Sequence, residues 1–389
     1  MSHKPLEGVR ILDLSRLLPG PFCTLLLGDL GAEVIKVEDL EGGDYLRAWP
    51  PLVDGQSAYF LALNAGKKSV ALNLKAPAGR ELFLKLAATA GAIVESFRPG
   101  TVDRLGVGYE AVKSVNPRIV YCSISGFGQD GPDRDRAGHD LTYLARSGIL
   151  GLCGRPGSLP AIPPVQIADL SSAMFAALGI LAHLRDSERT GQGRYIDIGM
   201  LDSAVAWTVM PVAEYAAGER GGRGRLPLTG KHPCYNVYRT RDGRDIALSA
   251  LEPKFWREFC RAVGRDDLLP LQFSERPEDF ARLEALFAGR TAEEWTALLK
   301  ETDFCCEVVS TLGEALDDAQ VRHRGLVIAP SPGAPAAPRV GHPLRDRKER
   351  EGGVCPGHGE HTAEVLSGLG LKSPEMDELE AAGVIRRGW

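Results

Sequence analysis

The chain has 389 residues, 25% of them charged and 44% hydrophobic. This is the balance of an ordinary enzyme, and the length favours two domains over one. A net charge of −5 excludes a global basic field of the kind that binds nucleic acid or anionic membranes. Without an apolar signal region or the ~18 uninterrupted apolar residues of a membrane span, the sequence predicts a cytoplasmic protein. Its eight scattered cysteines favour reduced thiols.

The first part of the chain alternates between strand and helix patterns. Extended apolar runs at 9–14 and 33–37 flank a helical segment at 21–31. The alternation continues with an extended run at 69–74, a helix at 79–91, and extended runs at 92–95 and 118–125. Strands joined by helices build parallel sheets, so the sequence predicts an α/β protein with a Rossmann-like parallel sheet.

Changes in composition and periodicity along the sequence also predict a division into domains. Helical spacing at 140–151 and 170–185, a short strand at 195–198 and a helix from Leu201 complete a large α/β domain, residues 1–216. Residues 217–232 begin with a glycine- and arginine-rich stretch and are predicted to be a linker. Residues 233–318, with a hairpin at 235–249 and then helices, are predicted to form a smaller α+β domain. Residues 319–389 are expected to return to the large domain.

The first strand–helix turn argues against a dinucleotide enzyme. A dinucleotide fingerprint needs three glycines so that backbone amides approach the pyrophosphate. The turn at 17–22 instead reads LLPGPF, and its two prolines remove backbone donors. A nicotinamide cofactor is therefore not expected, although such a sheet still offers a ligand site at the carboxyl ends of its strands.

Several motifs, in register over nearly the whole chain, resemble the family III CoA-transferases (CaiB/BaiF). They read GDLGAEVIKVE at 28–38, GKKSVAL at 66–72, FRPG at 97–100, GFGQDGP at 126–132 and GEHT at 359–362. Within that superfamily, AGHD at 137–140, ADL at 168–170 and ALEPKF at 250–255 are similar to the alpha-methylacyl-CoA racemase branch. Ala65 and Ser96 depart from the family's usual arginine and asparagine.

The resemblance implies an acyl-CoA thioester as substrate and no cofactor apart from the CoA of the substrate. It also implies an interlocked homodimer in which each site combines the large domain of one subunit with the small domain of the other. By motif match it places catalytic roles on His139, Asp169 and Glu252. The residues predicted to contact CoA are Arg16, Lys67, Lys68, Arg98 and Asp140.

Chemistry and simple capping offer competing interpretations of these residues. Inverting a carbon beside a thioester needs one base on each face, which His139 and Asp169 could supply, with Glu252 orienting the imidazole. Asp140 and Asp169 also suit the N-caps of the helices that follow them. Glu252 precedes Pro253 at a predicted N-cap where glutamate is not preferred, so capping explains it poorly.

The leading prediction is a racemase or epimerase of 2-methyl-branched acyl-CoA thioesters, with a role in lipid metabolism. The first alternative is a CoA-transferase in which the Asp169 carboxylate attacks the thioester and forms a mixed anhydride and then an enzyme–CoA thioester. The second alternative is a non-catalytic acyl-CoA binding protein. No metal site is predicted, because the ligand types at Cys355, His358, Glu360 and His361 read as a loop before a helix.

Overall fold

The computed structural model describes residues 4–333, 335, 339–345 and 353–388. The strands, in chain order, are β1 (Arg10–Asp13), β2 (Glu33–Glu38), β3 (Leu52–Val53), β4 (Gln56–Ser57), β5 (Lys68–Leu72), β6 (Ala92–Glu95), β7 (Val120–Ser125), β8 (Arg194–Gly199), β9 (Tyr235–Arg239), β10 (Asp245–Ser249), β11 (Cys306–Val308), β12 (Val327–Ile328), β13 (Arg339–Val340) and β14 (Ile385–Arg386).

The α-helices are α1 (Pro19–Asp29), α2 (Ala58–Asn64), α3 (Pro77–Ala87), α4 (Thr101–Arg104), α5 (Tyr109–Val115), α6 (Asp140–Ser147), α7 (Ile149–Leu152), α8 (Ile167–Thr190), α9 (Met200–Ala206), α10 (Val209–Ala216), α11 (Pro253–Ala262), α12 (Pro277–Phe287), α13 (Ala292–Glu301), α14 (Leu312–Asp317), α15 (Ala319–His323), α16 (Thr362–Ser367) and α17 (Ser373–Ala381). Short 3₁₀ helices cover Tyr45–Ala48, Pro227–Thr229 and Asp266–Leu271.

A seven-stranded sheet with the order β14-β5-β2-β1-β6-β7-β8 organises the larger part of the chain. The chain runs outward from β1 through β2 to β5, then crosses to β6 on the other side and continues to β7 and β8. These six strands are parallel, whereas β14 pairs antiparallel with β5 at the edge. The predicted α/β class with a Rossmann-like sheet is confirmed.

The sheet is covered by an apolar cluster on each face. Successive side chains in each strand point to opposite faces, so neighbouring residues belong to different clusters. In β1, Leu12 joins an apolar cluster with Phe83 on one face. Its neighbour Ile11 joins a second cluster with Leu27 and Ile180 on the other. This explains why the strands read as continuous apolar runs and not as alternating ones.

Helix α8 is long and apolar enough, by length and composition alone, to cross a membrane. In the structure its residues Ala173, Ala176 and Ile180 are fully buried in the second apolar cluster, against the sheet. Core helices of soluble proteins also satisfy this length and composition test, so the pattern does not distinguish between the two settings.

The chain forms two compact units. The first comprises Met1–Ser147, Val165–Ala206 and Ala319–Trp389, and the second comprises Gly148–Pro164 and Trp207–Asp318. The second unit contains the predicted hairpin, β9 and β10, joined by β11 into an antiparallel sheet. Residues 148–164 and 207–216, which the sequence places in the large domain, pack in this second unit. The exact domain boundaries stay a prediction.

Buried charges lie beneath the first strand–helix turn. The carboxylate of Asp13, at the end of β1, is fully buried and accepts hydrogen bonds from Thr24 Oγ1 at 2.6 Å and Lys67 Nζ at 3.0 Å. Burial alone would raise the pKa of Asp13, but the charges of Lys67 and Lys36 and hydrogen bonds from Ser15 and Thr24 hold it well below its usual range.

Lys67 is therefore an interior residue. It is 4% exposed, and its ammonium also donates to Pro21 O, Thr24 Oγ1 and Asn64 Oδ1. A phosphate contact is expected at the protein surface. The Lys67 ammonium lies in the interior instead, where it neutralises Asp13. Lys68, the next residue, is partly exposed and pairs with Glu33 and Glu364 at 2.6 and 2.8 Å.

Replacing Lys67 by methionine leaves the Asp13 carboxylate buried without the ammonium group that pairs with it directly. We expect the free energy of unfolding to fall by about 3–5 kcal/mol. The matched variant Lys68→Met, which removes the two partly exposed pairs with Glu33 and Glu364, should lower the free energy of unfolding by no more than about 1 kcal/mol. Urea denaturation measures both. A Lys67→Met protein as stable as the Lys68→Met protein would contradict the role given to the buried ammonium.

Candidate active site

The parallel sheet has a topological switch point between β1 and β6, where consecutive connections run in opposite directions. In sheets of this kind, ligands bind at the carboxyl ends of the strands beside the switch point. Here the two strand ends are joined by a hydrogen bond from Arg16 N to Ser96 Oγ at 3.1 Å.

A cavity of about 500 Å³ opens at this point, and we call it the switch-point cavity. The side chains that matter for its chemistry come from Arg16, Arg98, His139, Tyr143, Asp169 and Met200. All of them belong to the first compact unit. The structure thus brings together two of the three predicted catalytic residues, although they are separated in the sequence.

The carboxylate of Asp140 holds the beginning of α8. Its Oδ1 accepts hydrogen bonds from the backbone N–H groups of Ala168 at 2.7 Å and Asp169 at 3.3 Å. The residue at the N-cap of α8, Gln166, makes no side-chain capping bond. Asp140 therefore caps a helix whose first turn is 28 residues further along the chain. Asp140 does not cap its own helix, because it is the first residue of α6, and its predicted contact with CoA stays a prediction.

Asp169 lies inside the first turn of α8 and not before it, so the interpretation of Asp169 as an N-cap is wrong. No described residue donates a hydrogen bond to its carboxylate. Burial in the cavity wall raises the pKa of Asp169, and the negative charge of Asp140 raises it further, to about 7. A carboxyl group with this pKa can either hold or accept a proton near neutral pH.

His139 directly precedes α6 and is exposed to the cavity. Its backbone is fixed, because its N–H donates to Thr142 Oγ1 at 3.0 Å and its carbonyl oxygen accepts from Thr142 N at 2.8 Å. Among the described residues, none forms a hydrogen bond with the imidazole ring. The backbone of His139 is thus fixed, while its ring nitrogens make no hydrogen bond to the described residues.

Tyr143, one helical turn after His139, is a site residue that the sequence did not reveal. Its ring is buried and packs edge-on against Phe127. Burial raises the pKa of the Tyr143 hydroxyl to about 12, with smaller contributions from the charges of Asp169 and Asp140. A Cβ at Gly126 would come within 2.5 Å of this hydroxyl, so the first glycine of the GFGQDGP motif makes room for the tyrosine.

Glu252 belongs to the second compact unit. It is the N-cap of α11, with Pro253 at the first helical position as the sequence predicts. Its exposed side chain makes no capping hydrogen bond. The helix start therefore does not account for a glutamate at this position.

The predicted CoA contacts differ in their surroundings. Arg98 is exposed at the cavity, and none of the described residues forms an ion pair with its guanidinium. Arg16 pairs with Asp39 at 2.9 Å and lies over the ring of Phe97, 5.6 Å from its centroid. Arg16 and Phe97 also line a neighbouring cavity of about 560 Å³ at the ends of β2 and β5. Lys68 is occupied by its two carboxylate partners.

Glu95, the last residue of β6, is a buried carboxyl group beside the switch point. It is 2% exposed, and its Oε2 accepts a hydrogen bond from Phe97 N at 2.8 Å. Burial without a cation raises the pKa of Glu95 to about 7, against the opposing effect of hydrogen bonds from Ser123 and Phe97. In the sequence it looks like an ordinary strand residue, and no local signal distinguishes it.

The residues considered for metal binding have separate partners. His358 Nε2 lies 2.8 Å from Asp39 O, His361 Nδ1 accepts from Ser69 N at 3.3 Å, and Glu360 accepts from Gly357 N at 2.6 Å. Within 4–333, 335, 339–345 and 353–388, no group of His, Cys, Asp and Glu is arranged to hold a metal ion. The eight cysteines are free thiols.

The buried carboxyl of Glu95 should make stability depend on pH. Because its pKa is raised in the folded protein, the native state loses stability as pH rises from about 4.5 to 7. The free energy of unfolding of Glu95→Gln should be close to that of the parent protein at pH 4 and higher by about 2–3 kcal/mol at pH 8. Denaturation at both pH values measures this. The exposed control Glu110→Gln should show no such trend, and a Glu95→Gln difference that is constant with pH would contradict the assignment.

Comparison with known proteins gives a consistent family relationship. Residues 6–362 match the family model described as CoA-transferase family III. A succinyl-CoA:glutarate CoA-transferase of Mus musculus is 36% identical over 99% of this chain and 91% of its own length. An alpha-methylacyl-CoA racemase of Homo sapiens is 34% identical over 98% of this chain and 97% of its own.

The fold comparison agrees. The crystal structure of a CAIB/BAIF family protein from Brucella suis superimposes with a TM-score of 0.82 and 30% sequence identity. The match covers 95% of this chain and all of the other. Transferases and racemases are thus similar to this chain at nearly the same level, and the level of identity does not separate the two activities.

Proposed function

Because the chain belongs to CoA-transferase family III, we propose that it acts on an acyl-CoA thioester and inverts the carbon next to the thioester carbonyl. The observation that carries this proposal is the presence of His139 and Asp169 in one cavity, neither engaged by another described side chain. Inversion needs two proton-transferring groups, whereas CoA transfer through a carboxylate needs only one.

The proposed reaction uses the two groups in opposite protonation states. The neutral imidazole of His139 removes the α proton, and the electron pair of the C–H bond moves to the thioester oxygen to give an enolate. Protonated Asp169 then delivers its proton to the opposite face of the same carbon. For the other enantiomer the roles reverse, which suits a carboxyl group whose pKa lies near 7. No cofactor beyond the CoA of the substrate takes part.

The enolate oxygen needs a hydrogen-bond donor. The start of α6 directly follows His139, and the backbone N–H groups of Asp140 and Leu141 stand in its first turn, where helices leave donors without intrahelical partners. The partial positive charge of a helix start also favours an anion. We therefore assign enolate stabilisation to these two amides.

Recognition of the CoA portion is assigned to Arg98 and Arg16. The Arg98 guanidinium is exposed and suited to a phosphate. Arg16 and Phe97 line both the switch-point cavity and the neighbouring cavity of about 560 Å³, so one extended ligand could occupy both cavities. Lys67 is omitted because of its interior position, and Lys68 because of its two carboxylates.

We further propose that the working protein is a homodimer in which Glu252 of the partner subunit orients His139. Two apolar surfaces support self-association. In the second unit, α10 exposes Val209, Val212 and Tyr215, and in the first unit α8 exposes Met174 and Leu178. Clusters of exposed apolar side chains of this kind are typical of interaction surfaces.

A second candidate is CoA transfer between carboxylic acids. It is favoured by the free carboxylate of Asp169 in the cavity and by the similarity to the glutarate CoA-transferase. In this reaction ionised Asp169 attacks the thioester carbonyl and CoA leaves as a thiolate. The thiolate then attacks the Asp169 carbonyl of the mixed anhydride to give an enzyme thioester and release the first acid. His139 has no required part in it.

The experiment incubates the protein in deuterium oxide with each enantiomer of a 2-methylacyl-CoA and follows the α position by NMR. We expect deuterium uptake with inversion. His139→Gln and Asp169→Asn should each slow inversion by roughly 100-fold or more, because each removes one of the two acid–base groups. His183→Gln and Asp186→Asn, both on α8 and outside the cavity, are the matched controls and should retain the rate.

A parallel assay offers succinyl-CoA and glutarate and measures glutaryl-CoA. Transfer that persists in His139→Gln and disappears in Asp169→Asn, without α-proton exchange in the parent protein, would refute the racemase proposal in favour of CoA transfer. Saturable acyl-CoA binding with neither exchange nor transfer would refute both enzymatic proposals for these substrates.

A further inference from the structure

The hydroxyl of Tyr143 is a hydrogen-bond donor that no described residue uses. The residue is 3% exposed and lines the switch-point cavity. Two other buried tyrosines each donate to a backbone carbonyl oxygen, Tyr121 to Val107 at 3.1 Å and Tyr238 to Pro233 at 2.7 Å. Within the part of the chain that the structure describes, the Tyr143 hydroxyl has no such acceptor. Because a buried tyrosine hydroxyl normally finds a partner, this one is suited to a ligand in the cavity.

The ring of Tyr143 is directed toward the start of α6. Side chains on a helix tilt toward its N-terminus, and here the ring covers the segment that leads into the helix. A Cβ at Gly138 would come within 2.6 Å of the ring atom Cε1, and a Cβ at Gly126 within 2.5 Å of the hydroxyl oxygen. Both glycines also line the switch-point cavity. The hydroxyl therefore lies at the end of α6 where the helix begins, next to His139.

The start of α6 offers two further donors. Among the described residues, none accepts a hydrogen bond from the backbone N–H groups of Asp140 and Leu141, whereas those of Thr142 and Tyr143 both donate to His139 O. The first N–H groups of a helix also carry its partial positive charge. Two amides and one hydroxyl thus remain as donors at the same helix end, beside the two acid–base groups of the cavity.

We propose that Tyr143 is a further catalytic residue, whose hydroxyl donates a hydrogen bond to the enolate oxygen together with the amides of Asp140 and Leu141. This inference rests on the proposed inversion of the α carbon. The proton of the hydroxyl stays on Tyr143 throughout, and the α proton moves only between the substrate carbon and His139 or Asp169. Three donors around one oxygen stabilise the enolate more than the uncharged thioester, which lowers the barrier to its formation.

The properties of the hydroxyl suit a donor and not a base. Burial and the charges of Asp169 and Asp140 raise the pKa of Tyr143 to about 12, so the hydroxyl keeps its proton at any pH near neutral. The Asp169 carboxylate is the rival acceptor in the cavity. A hydrogen bond to it would lower the pKa of Asp169, but this pKa is raised and no such bond is present.

The test compares Tyr143→Phe, which keeps the ring and removes the hydroxyl, with the parent protein in deuterium oxide and a 2-methylacyl-CoA. We expect kcat for deuterium uptake to fall roughly 100-fold while KM stays within about threefold, because the donor acts mainly on the enolate. Inversion should slow by the same factor as uptake, since His139 and Asp169 still transfer the protons. The urea midpoint should not fall, because the hydroxyl has no acceptor among the described residues.

Tyr121→Phe is the matched control. It removes a buried hydroxyl that is bonded to Val107 O and lies outside the cavity, so it should lower the urea midpoint and retain kcat. The pKa of Asp169, followed by carbon-13 NMR, should be the same in Tyr143→Phe as in the parent protein.

The outcomes separate this inference from the reaction on which it rests. A parent protein that exchanges the α proton, with Tyr143→Phe equally fast, overturns the role of Tyr143 and leaves the racemase proposal intact. A slow Tyr143→Phe with a lowered urea midpoint would make the residue structural, and a raised pKa of Asp169 in this variant would assign the hydroxyl to the carboxylate. Either result overturns the inference. A parent protein without α-proton exchange refutes the proposed reaction and the role of Tyr143 with it.

Discussion

The hydrogen bonds from the start of α8 to Asp140 are the constraint on which the candidate site depends. They join two segments that are distant in sequence, because one carboxylate oxygen accepts from the N–H groups of Ala168 and Asp169. Asp140 directly follows His139, so the same contact fixes the backbone of both proposed acid–base residues. It also has an electrostatic consequence: Asp140 satisfies the helix amides, and its charge raises the pKa of Asp169. Asp140 thus caps the helix, and the Asp169 carboxyl group is left for the proposed proton transfer.

The sheet supplies the place for this arrangement. The reversal between β1 and β6 opens a crevice at their carboxyl ends, and the buried pair of Asp13 and Lys67 supports the turn after β1 from below. On the other side of the crevice, Glu95 holds the backbone of Phe97 next to Arg98. The backbone around the switch-point cavity is therefore held by buried polar groups that have few other possible hydrogen-bond partners. We expect this backbone to be more rigid than an ordinary loop.

Much of the sheet could be predicted from the sequence, because strands buried on both faces read as apolar runs and helices keep their own period. β6 has the predicted bounds, and the hairpin of β9 and β10 is where the turn residues place it. The details of the site could not be predicted. α8 begins before the predicted position because its cap, Asp140, is remote in sequence, which reverses the interpretation of Asp169. Lys67 lies in the GKKSVAL motif that resembles the family, yet only the fold reveals that it neutralises Asp13. The family resemblance predicted catalytic roles for His139 and Asp169, which share the cavity, but it indicated neither Tyr143 nor Glu95.

The most direct test of the account is the pKa of the Asp169 carboxyl, measured by carbon-13 NMR and assigned with Asp169→Asn. The parent protein should titrate at about 7. In Asp140→Asn the side-chain oxygen can still accept the helix amides, but the negative charge is gone, so the pKa of Asp169 should fall. Asp186, on the exposed part of α8, is the internal control and should be unaffected. An Asp169 carboxyl that titrates near the ordinary aspartate value of about 3.9, or that does not respond to Asp140→Asn, would contradict the account.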